Sequence, residues 1–156
     1  MIFFLFKPLH IKKQEIANMP LLELENFKLI ELDEKGLLSI TEGTNGARYT
    51  SKYTVTDLDY TDNTNEYLAN IRSNNGLYKG DIIKLDGDVV YSREDGLSFQ
   101  SQKANYNTKT KIAESTAKYV SHMNGNKTTG SYIQYDNING IIKSKNIVAN
   151  YKLKER

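Results

Sequence analysis

Two-residue alternation of apolar and polar side chains recurs along most of this chain, and it is the feature that most constrains the fold. Side chains of a strand point alternately to its two faces, so such a run predicts a strand with one buried face. The clearest run is residues 147–153, in which Ile147, Ala149, Tyr151 and Leu153 share one face. Apolar residues at helical spacing are almost absent. We therefore expect an all-β domain.

Glycine-containing turn signals separate the predicted strands. Gly, Asn and Asp tolerate the positive φ that tight hairpins require. Their spacing of roughly 8–12 residues is typical of a sandwich, barrel or jelly roll. Eleven Tyr and five Phe also favour strands over helices. The six signals are Glu34-Lys35-Gly36, Asn74-Asn75-Gly76, Asp86-Gly87, Glu94-Asp95-Gly96, Asn124-Gly125 and Asn139-Gly140.

The N-terminus differs in composition from the rest of the 156-residue chain. Residues 2–6 are uninterruptedly apolar, but a helix that spans a bilayer needs about 20 such residues. We interpret residues 1–7 as the end of a truncated membrane anchor, residues 8–20 as a linker closed by Pro20, and residues 21–156 as one β-domain. A first β-strand is the alternative for residues 2–6. Lys12 and Lys13 next to this run favour a cytoplasmic flank.

Composition excludes several functional classes. A net charge of +2, with both signs interspersed, gives no footprint for nucleic acid. The chain has no Cys, which excludes thiolate metal sites and a cysteine nucleophile. Its two histidines, His10 and His122, lie in the linker and in a polar turn, an arrangement that suits neither a zinc site nor a Ser-His-Asp triad. We predict no metal and no cofactor.

Acidic side chains are the remaining candidates for catalysis. A glycosidase on a β-fold would need two carboxylates across a cleft. The candidates are Asp86, Asp88, Glu94, Asp95 and Glu114, and all except Glu114 flank glycines, where an acid is expected to stabilise a turn. A calcium loop starting at Asp86 fails because Val90 stands where an oxygen ligand is needed. The sequence thus predicts a protein that is not an enzyme.

Aromatic residues at alternating positions have two interpretations. They form either a closed core or an apolar groove between two sheets that admits a lipid-like ligand. Composition does not choose between these. The residues concerned are Phe99, Tyr106, Tyr119, Tyr132, Tyr135 and Tyr151.

An ordered set of motifs resembles one known family. In chain order the motifs are GLLSITEGTNGARY from Gly36, LDGDVVY from Leu85, EDGLSFQSQKANY from Glu94, MNGNKTTGSYIQYD from Met123 and GIIKSKNIVANY from Gly140. Across residues 21–153 this order is similar to that of the LptC family, the inner-membrane component of lipopolysaccharide export, which is related to the periplasmic OstA/LptA proteins.

The resemblance implies an open, twisted β-jelly-roll of stacked antiparallel strands. It implies a single-pass protein of the inner membrane with its β-domain in the periplasm of a Gram-negative bacterium. Such a protein has no catalytic activity. It accepts lipopolysaccharide from an inner-membrane ABC transporter complex, shields the acyl chains in an apolar lumen, and passes them to LptA. A homodimer is a further possibility.

Site residues follow partly from the alternation and partly from the resemblance. The expected lumen residues are Leu97, Phe99, Tyr106, Tyr132, Ile147 and Tyr151. The resemblance marks Gly36 and Gly125 as functionally sensitive. The residues expected to dock an LptA-like partner are these two glycines and the C-terminal edge formed by Ile147, Val148, Ala149, Asn150 and Tyr151. Two other classes stay open: an extracellular carbohydrate-binding or adhesin module, and a β-fold glycosidase.

Overall fold

The computed structural model describes residues 19–153, which form twelve β-strands in one antiparallel sheet. No helix in this range is long and apolar enough to cross a bilayer. The proposed anchor and most of the linker lie outside the described residues. The strands are β1 (Leu22–Asp33), β2 (Gly36–Arg48), β3 (Lys52–Asp62), β4 (Ala69–Lys79), β5 (Ile82–Arg93), β6 (Ser98–Asn107), β7 (Ile112–Ser115), β8 (Tyr119–Met123), β9 (Asn126–Gly130), β10 (Tyr132–Asp136), β11 (Ile141–Lys145) and β12 (Val148–Asn150).

These strands build a meander of nine long segments. Each of β1 to β6 pairs with the next strand along the chain. The six short strands form the other three segments, each made of two consecutive strands placed end to end: β7 and β8, β9 and β10, and β11 and β12. A linker of one to three residues joins the two strands of each segment. Both strands of such a segment are hydrogen-bonded to the same neighbouring segments. Every segment therefore contacts the one before it and the one after it.

A crease crosses all nine segments near their middles. Five residues at the crease have a positive φ: Asn26 (45°), Asp57 (53°), Gly87 (85°), Asp88 (46°) and Asn146 (55°). In β3 the buried side chains change from odd to even positions here, because Val55 and Leu58, three residues apart, are both buried. Asn and Asp enter the left-handed region more readily than other side-chain-bearing residues. They let a strand bend without leaving the sheet.

The crease divides the sheet into two walls that face each other. The first wall contains β7, β10, β11 and residues 22–25, 45–48, 52–56, 75–79, 82–86 and 103–107 of β1 to β6. The second wall contains β8, β9, β12 and residues 27–33, 36–43, 58–62, 69–73, 89–93 and 98–101.

The core lies between the walls, next to the crease. Val55 and Leu85 of the first wall pack with Leu58 and Val89 of the second, and all four are buried. Phe27 of the second wall covers the backbone of the first so closely that a Cβ added at Gly46 would lie 2.9 Å from its Cε1 atom.

The all-β class and the open antiparallel sheet agree with the sequence prediction. β1, β11 and β12 each pair on one side only within the described residues, so the sheet is not closed. Four of the six predicted turns are turns, whereas the other two predictions are wrong. Asn74-Asn75-Gly76 lies within β4 and Asp86-Gly87 within β5. The positive φ of Gly87 (85°) bends β5 at the crease instead of reversing the chain.

The predicted C-terminal strand is shorter than expected. β12 contains Val148, Ala149 and Asn150, whereas Ile147 and Tyr151 flank it. The described chain crosses the crease at Asn146, and β11 is the other half of the same final segment. The C-terminal edge of the sheet is therefore built from both walls.

Candidate functional site

An unbroken row of register partners crosses the inner face of the first wall. Side chains that are partners in an antiparallel register lie on the same face of the sheet. The rings of Tyr53 and Tyr78, which are neighbours in this row, lie 5.9 Å apart. From the N-terminal to the C-terminal edge the row reads Leu22, Arg48, Tyr53, Tyr78, Ile83, Tyr106, Ala113, Tyr135 and Ile142.

A second unbroken row crosses the inner face of the second wall. Thr41 in this row is 1% exposed, whereas Tyr60, Ile71, Tyr91 and Phe99 are half-buried. We call the space between the two rows the trough. The second row reads Leu29, Thr41, Tyr60, Ile71, Tyr91, Phe99, Ser121, Thr128 and Ala149.

Three of the tyrosines that line the trough have a raised pKa and are uncharged at neutral pH. Burial raises the pKa of Tyr60, and the nearby Asp62 carboxylate raises it further. Burial is also the main cause that raises the pKa of Tyr91 and of Tyr106. An ordinary tyrosine already titrates near pH 10. These three residues therefore present rings and neutral hydroxyls to whatever occupies the trough.

One ion pair stands at the open rim of the second wall. The Arg93 guanidinium donates two hydrogen bonds to the Asp95 carboxylate, at 2.7 and 2.6 Å, and lies 5.3 Å from the centroid of the Tyr67 ring. These hydrogen bonds lower the pKa of Asp95 and raise that of Arg93. The pair brings no net charge to the rim.

Three predicted lumen residues lie at or beside the trough. Phe99 belongs to the second row and Tyr106 to the first. Leu97 is half-buried in the turn between β5 and β6, where its carbonyl accepts a hydrogen bond from the Arg93 N–H at 2.8 Å. Phe99 and Tyr106 thus lie on opposite walls of the trough, and Leu97 lies two residues before Phe99.

Ile147 and Tyr151 lie at the open C-terminal end. Each lies two residues from Ala149, the last member of the second row, so in an extended chain both share its side of the segment. They are nevertheless 54% and 70% exposed, because no further strand follows in the described chain. Val148 is 61% exposed on the opposite side.

Tyr132 does not face the trough, which disagrees with the sequence prediction. Its register partner is Lys145, whose Nζ lies 5.3 Å from the ring centroid. Its hydroxyl donates to Glu114 Oε2 at 2.9 Å, and this bond raises the pKa of Tyr132. Inner side chains have even residue numbers in β9 but odd numbers in β10, because the alternation shifts by one residue at the crease. Ile133 therefore takes the inner position instead of Tyr132.

Sequence reasoning missed several trough residues. Tyr53, Tyr60 and Tyr78 belong to the two rows but were not singled out. Their alternation within each strand was a usable signal, but alternation does not say which of two faces is inner. The register with neighbouring strands supplies that information.

Both glycines marked by the resemblance lie at hairpins: Gly36 is the first residue of β2, and Gly125 lies in the turn between β8 and β9. Gly36 has a φ of 124° and Gly125 a φ of 82°, values that residues with a side chain rarely adopt. Open space surrounds Gly36 to 4 Å, and Gly125 lies against Lys152, whose Cδ would be 3.5 Å from an added Cβ. Different glycines make room for inner rings. A Cβ at Gly130 would lie 2.6 Å from Cε1 of Tyr119.

The acids considered for catalysis have structural partners or exposed positions. Asp95 binds Arg93, Glu114 accepts from Tyr132, and Asp88 accepts from the Gln102 side chain at 2.9 Å. Asp86 and Glu94 are exposed. Within residues 19–153, no three His, Asp or Glu side chains are grouped so that they could hold a metal ion.

Comparisons with known proteins agree on one system. The profile described as "Lipopolysaccharide-assembly, LptC-related" matches residues 3–151. The chain is also similar to the crystal structure of LptH from Pseudomonas aeruginosa, the LptA-homologous periplasmic component of the lipopolysaccharide transport device. That similarity has a TM-score of 0.56 at 13% identity and covers 88% of this chain and 98% of LptH. A search of curated proteins found no match.

Proposed function

The chain belongs to the LptC-related family of lipopolysaccharide-assembly proteins, and from this membership we propose that its trough carries the acyl chains of lipopolysaccharide. The protein is a non-enzymatic component of lipopolysaccharide transport, as the sequence analysis predicted. Family members are anchored in the inner membrane with their folded part in the periplasm. The single-pass anchor of this chain stays a prediction, because it falls outside the described residues.

The observation that carries the proposal is the continuity of the two rows. Each runs through all nine segments, from β1 to the last segment, without leaving the inner face. With a strand spacing of about 4.8 Å, a nine-strand row extends roughly 40 Å. Most of its members are aliphatic or aromatic, so a lipid chain in the trough stays in apolar surroundings along that length.

Energetics explain why a lipid needs such cover. Exposing acyl chains to water costs about 0.8 kcal/mol for each methylene group, and lipid A carries several chains. Half-buried tyrosine and isoleucine side chains offer apolar area that a ligand can cover further. Apart from Arg48, the members of the two rows carry no charge, which limits the desolvation of charges that an apolar chain would otherwise cause.

The direction of transport comes from partners. We propose that an inner-membrane ABC transporter complex delivers lipopolysaccharide to the trough and supplies the work. An LptA-like protein then accepts it at the C-terminal edge, where β11 and β12 each have one unpaired side in the described chain. A free edge presents N–H and C=O groups to a partner strand. A homodimer through the same edge is the competing use of this surface.

Photo-crosslinking tests the trough directly. A benzophenone side chain at Phe99 or Tyr151 is expected to capture lipopolysaccharide, because both positions have inner parity. The matched controls are Gln100 and Lys152, the next residue along the chain in each case, which are exposed and point away from the trough. Covalent adducts are read on a gel with an antibody to lipopolysaccharide.

The comparison within each pair decides the result. Capture at Phe99 and Tyr151 with little at Gln100 and Lys152 supports the trough. Equal capture at both members of each pair would mean that the lipid binds without regard to the inner face, and the proposal would be wrong.

A further inference from the structure

A buried hydrogen bond joins the two walls near the C-terminal end of the trough. Tyr119 of β8, in the second wall, is 3% exposed, and its hydroxyl lies 2.8 Å from Ser144 Oγ of β11, in the first wall. Ser144 Oγ also donates to the carbonyl of Tyr132 at 2.6 Å. A serine hydroxyl has one proton. Tyr119 is therefore the donor to Ser144.

The Tyr119 ring is held from two sides. It stacks on Phe99 with a centroid distance of 5.5 Å and an interplanar angle of 24°. Its other neighbour is Gly130, where a Cβ would lie 2.6 Å from Cε1 and 2.9 Å from the hydroxyl oxygen. The ring is fixed in place, so the hydroxyl has little freedom to leave Ser144 unless the walls separate.

The position of this bond matters for passage along the trough. Phe99, on the sixth segment, lies on one side of Tyr119, and Ile147, on the ninth, lies on the other. A chain that moves from Phe99 to Ile147 at the depth of Tyr119 meets the Tyr119 ring and its bond to Ser144. The core contacts between walls described above are apolar. A second polar contact, 2.9 Å between Ser101 Oγ and Ser115 Oγ, joins the walls on adjacent segments, whereas the Tyr119 bond reaches from the seventh segment to the ninth.

We infer that the Tyr119–Ser144 hydrogen bond is a latch that holds the C-terminal end of the trough closed until lipid passes. This inference rests on the proposed function. The bond suits a reversible latch because Ser144 keeps the Tyr132 carbonyl as a partner when the walls separate. Tyr119 can then exchange Ser144 for water at the open end, which limits the penalty of an unpaired hydroxyl.

Wall separation is measured first, without lipid. The chain has no cysteine, so spin labels can be attached to cysteines that replace His122 of β8 and Lys143 of β11, which are both exposed on outer faces. Tyr119→Phe removes the hydroxyl and keeps the ring. In the full chain we expect the label distance distribution to broaden and shift to longer values. Ser144→Ala breaks the same bond and is expected to give the same change.

The matched control removes a hydroxyl that does not join the walls. Ser121, two residues from Tyr119, donates to the Ser98 carbonyl of its own wall at 3.0 Å. Ser121→Ala is expected to leave the distances unchanged. An unchanged distribution in both Tyr119→Phe and Ser144→Ala, or an equal change in Ser121→Ala, overturns the latch.

Lipid entry is measured second, with lipopolysaccharide that carries an environment-sensitive fluorophore on an acyl chain. Tyr119→Phe is expected to accelerate association roughly fivefold, the population change that one neutral hydrogen bond supports. Unaltered rates with altered label distances would overturn the latch as a barrier to lipid. Failure of the wild type and all variants to bind lipopolysaccharide would instead refute the proposed function, while the label distances still report on the bond.

Discussion

At the scale of single residues, the contact between the walls depends on side chains that are absent. Gly46 and Gly76 are the two register partners of Val55, one on each neighbouring strand. At Gly46 the three nearest neighbours of an added Cβ belong to Phe27, at 2.9, 3.2 and 3.5 Å. At Gly76 the nearest atoms would be 3.5 Å away, which is ordinary contact. The same substitution thus has different consequences at two equivalent positions.

Gly46→Ala is expected to lower the free energy of unfolding by about 1–3 kcal/mol, because overpacking forces the Phe27 ring or the backbone to move. Denaturant unfolding followed by circular dichroism measures the change. Gly76→Ala is the matched control and should cost clearly less. In a Phe27→Leu background the Gly46→Ala penalty should shrink, since the two residues are in direct contact. An undiminished penalty would place the clash elsewhere.

At the scale of elements, the crease explains why nine segments form two walls. Asn26, Asp57 and Asp88 are evenly spaced along the chain, one on every second segment. Each interrupts an alternating run and shifts the inner parity by one position. The alternation itself continues on both sides. A strand of ten or more residues can therefore contribute to both walls without a loop.

The backbone at Asn26 offers a test of the crease. Asn26→Val is expected to lower the free energy of unfolding by about 1–2 kcal/mol, because a branched side chain is strained at a φ of 45°. Asn26→Gly should cost little, since glycine adopts this conformation freely. Thermal or urea unfolding measures both.

Glu25→Val serves as the neighbouring control. Glu25 is exposed like Asn26 but lies in the regular part of β1. If valine at position 25 destabilises the protein as much as valine at position 26, the penalty comes from surface polarity or the edge position and not from the crease.

The sequence contained the strands but not the crease. Phe27, Leu29 and Glu31 alternate along the sequence, and they are the half-buried residues of that part of β1. Asn74-Asn75-Gly76 and Asp86-Gly87 were wrongly predicted as hairpin turns, because a left-handed residue suits a bend in a strand as well as a reversal. Tyr132 was assigned to the wrong face for the related reason that a parity shift lies between β9 and β10. Local sequence indicates that such residues adopt a positive φ, whereas pairing with neighbouring strands determines whether the chain bends or reverses there.

At the scale of the whole molecule, strand pairing runs only between adjacent segments of the described meander. The central segments have partners on both sides and hold the core residues Val55, Leu58, Leu85 and Val89. The last segment has a partner on one side. In such a quasi-one-dimensional arrangement, local stability depends on the number of neighbours.

Hydrogen exchange measured by mass spectrometry should show this gradient. We expect amides of β4, paired on both sides, to exchange more slowly than those of β11 and β12. Addition of an LptA-like partner should slow exchange in β11 and β12 and leave β4 unaffected. Equal exchange in β4 and β12 in the free protein would contradict the gradient. Unchanged β11 and β12 in the presence of a bound partner would contradict docking at that edge.

The length of the trough depends on the number of segments in the sheet. Each segment adds one position to both rows, and each pair of segments returns the chain to the same rim. Loss or gain of one hairpin would therefore change the reach of the protein by roughly 10 Å and leave its cross-section the same. The number of hairpins therefore sets the distance that the trough spans, and evolution or protein engineering can change that distance by adding or removing hairpins.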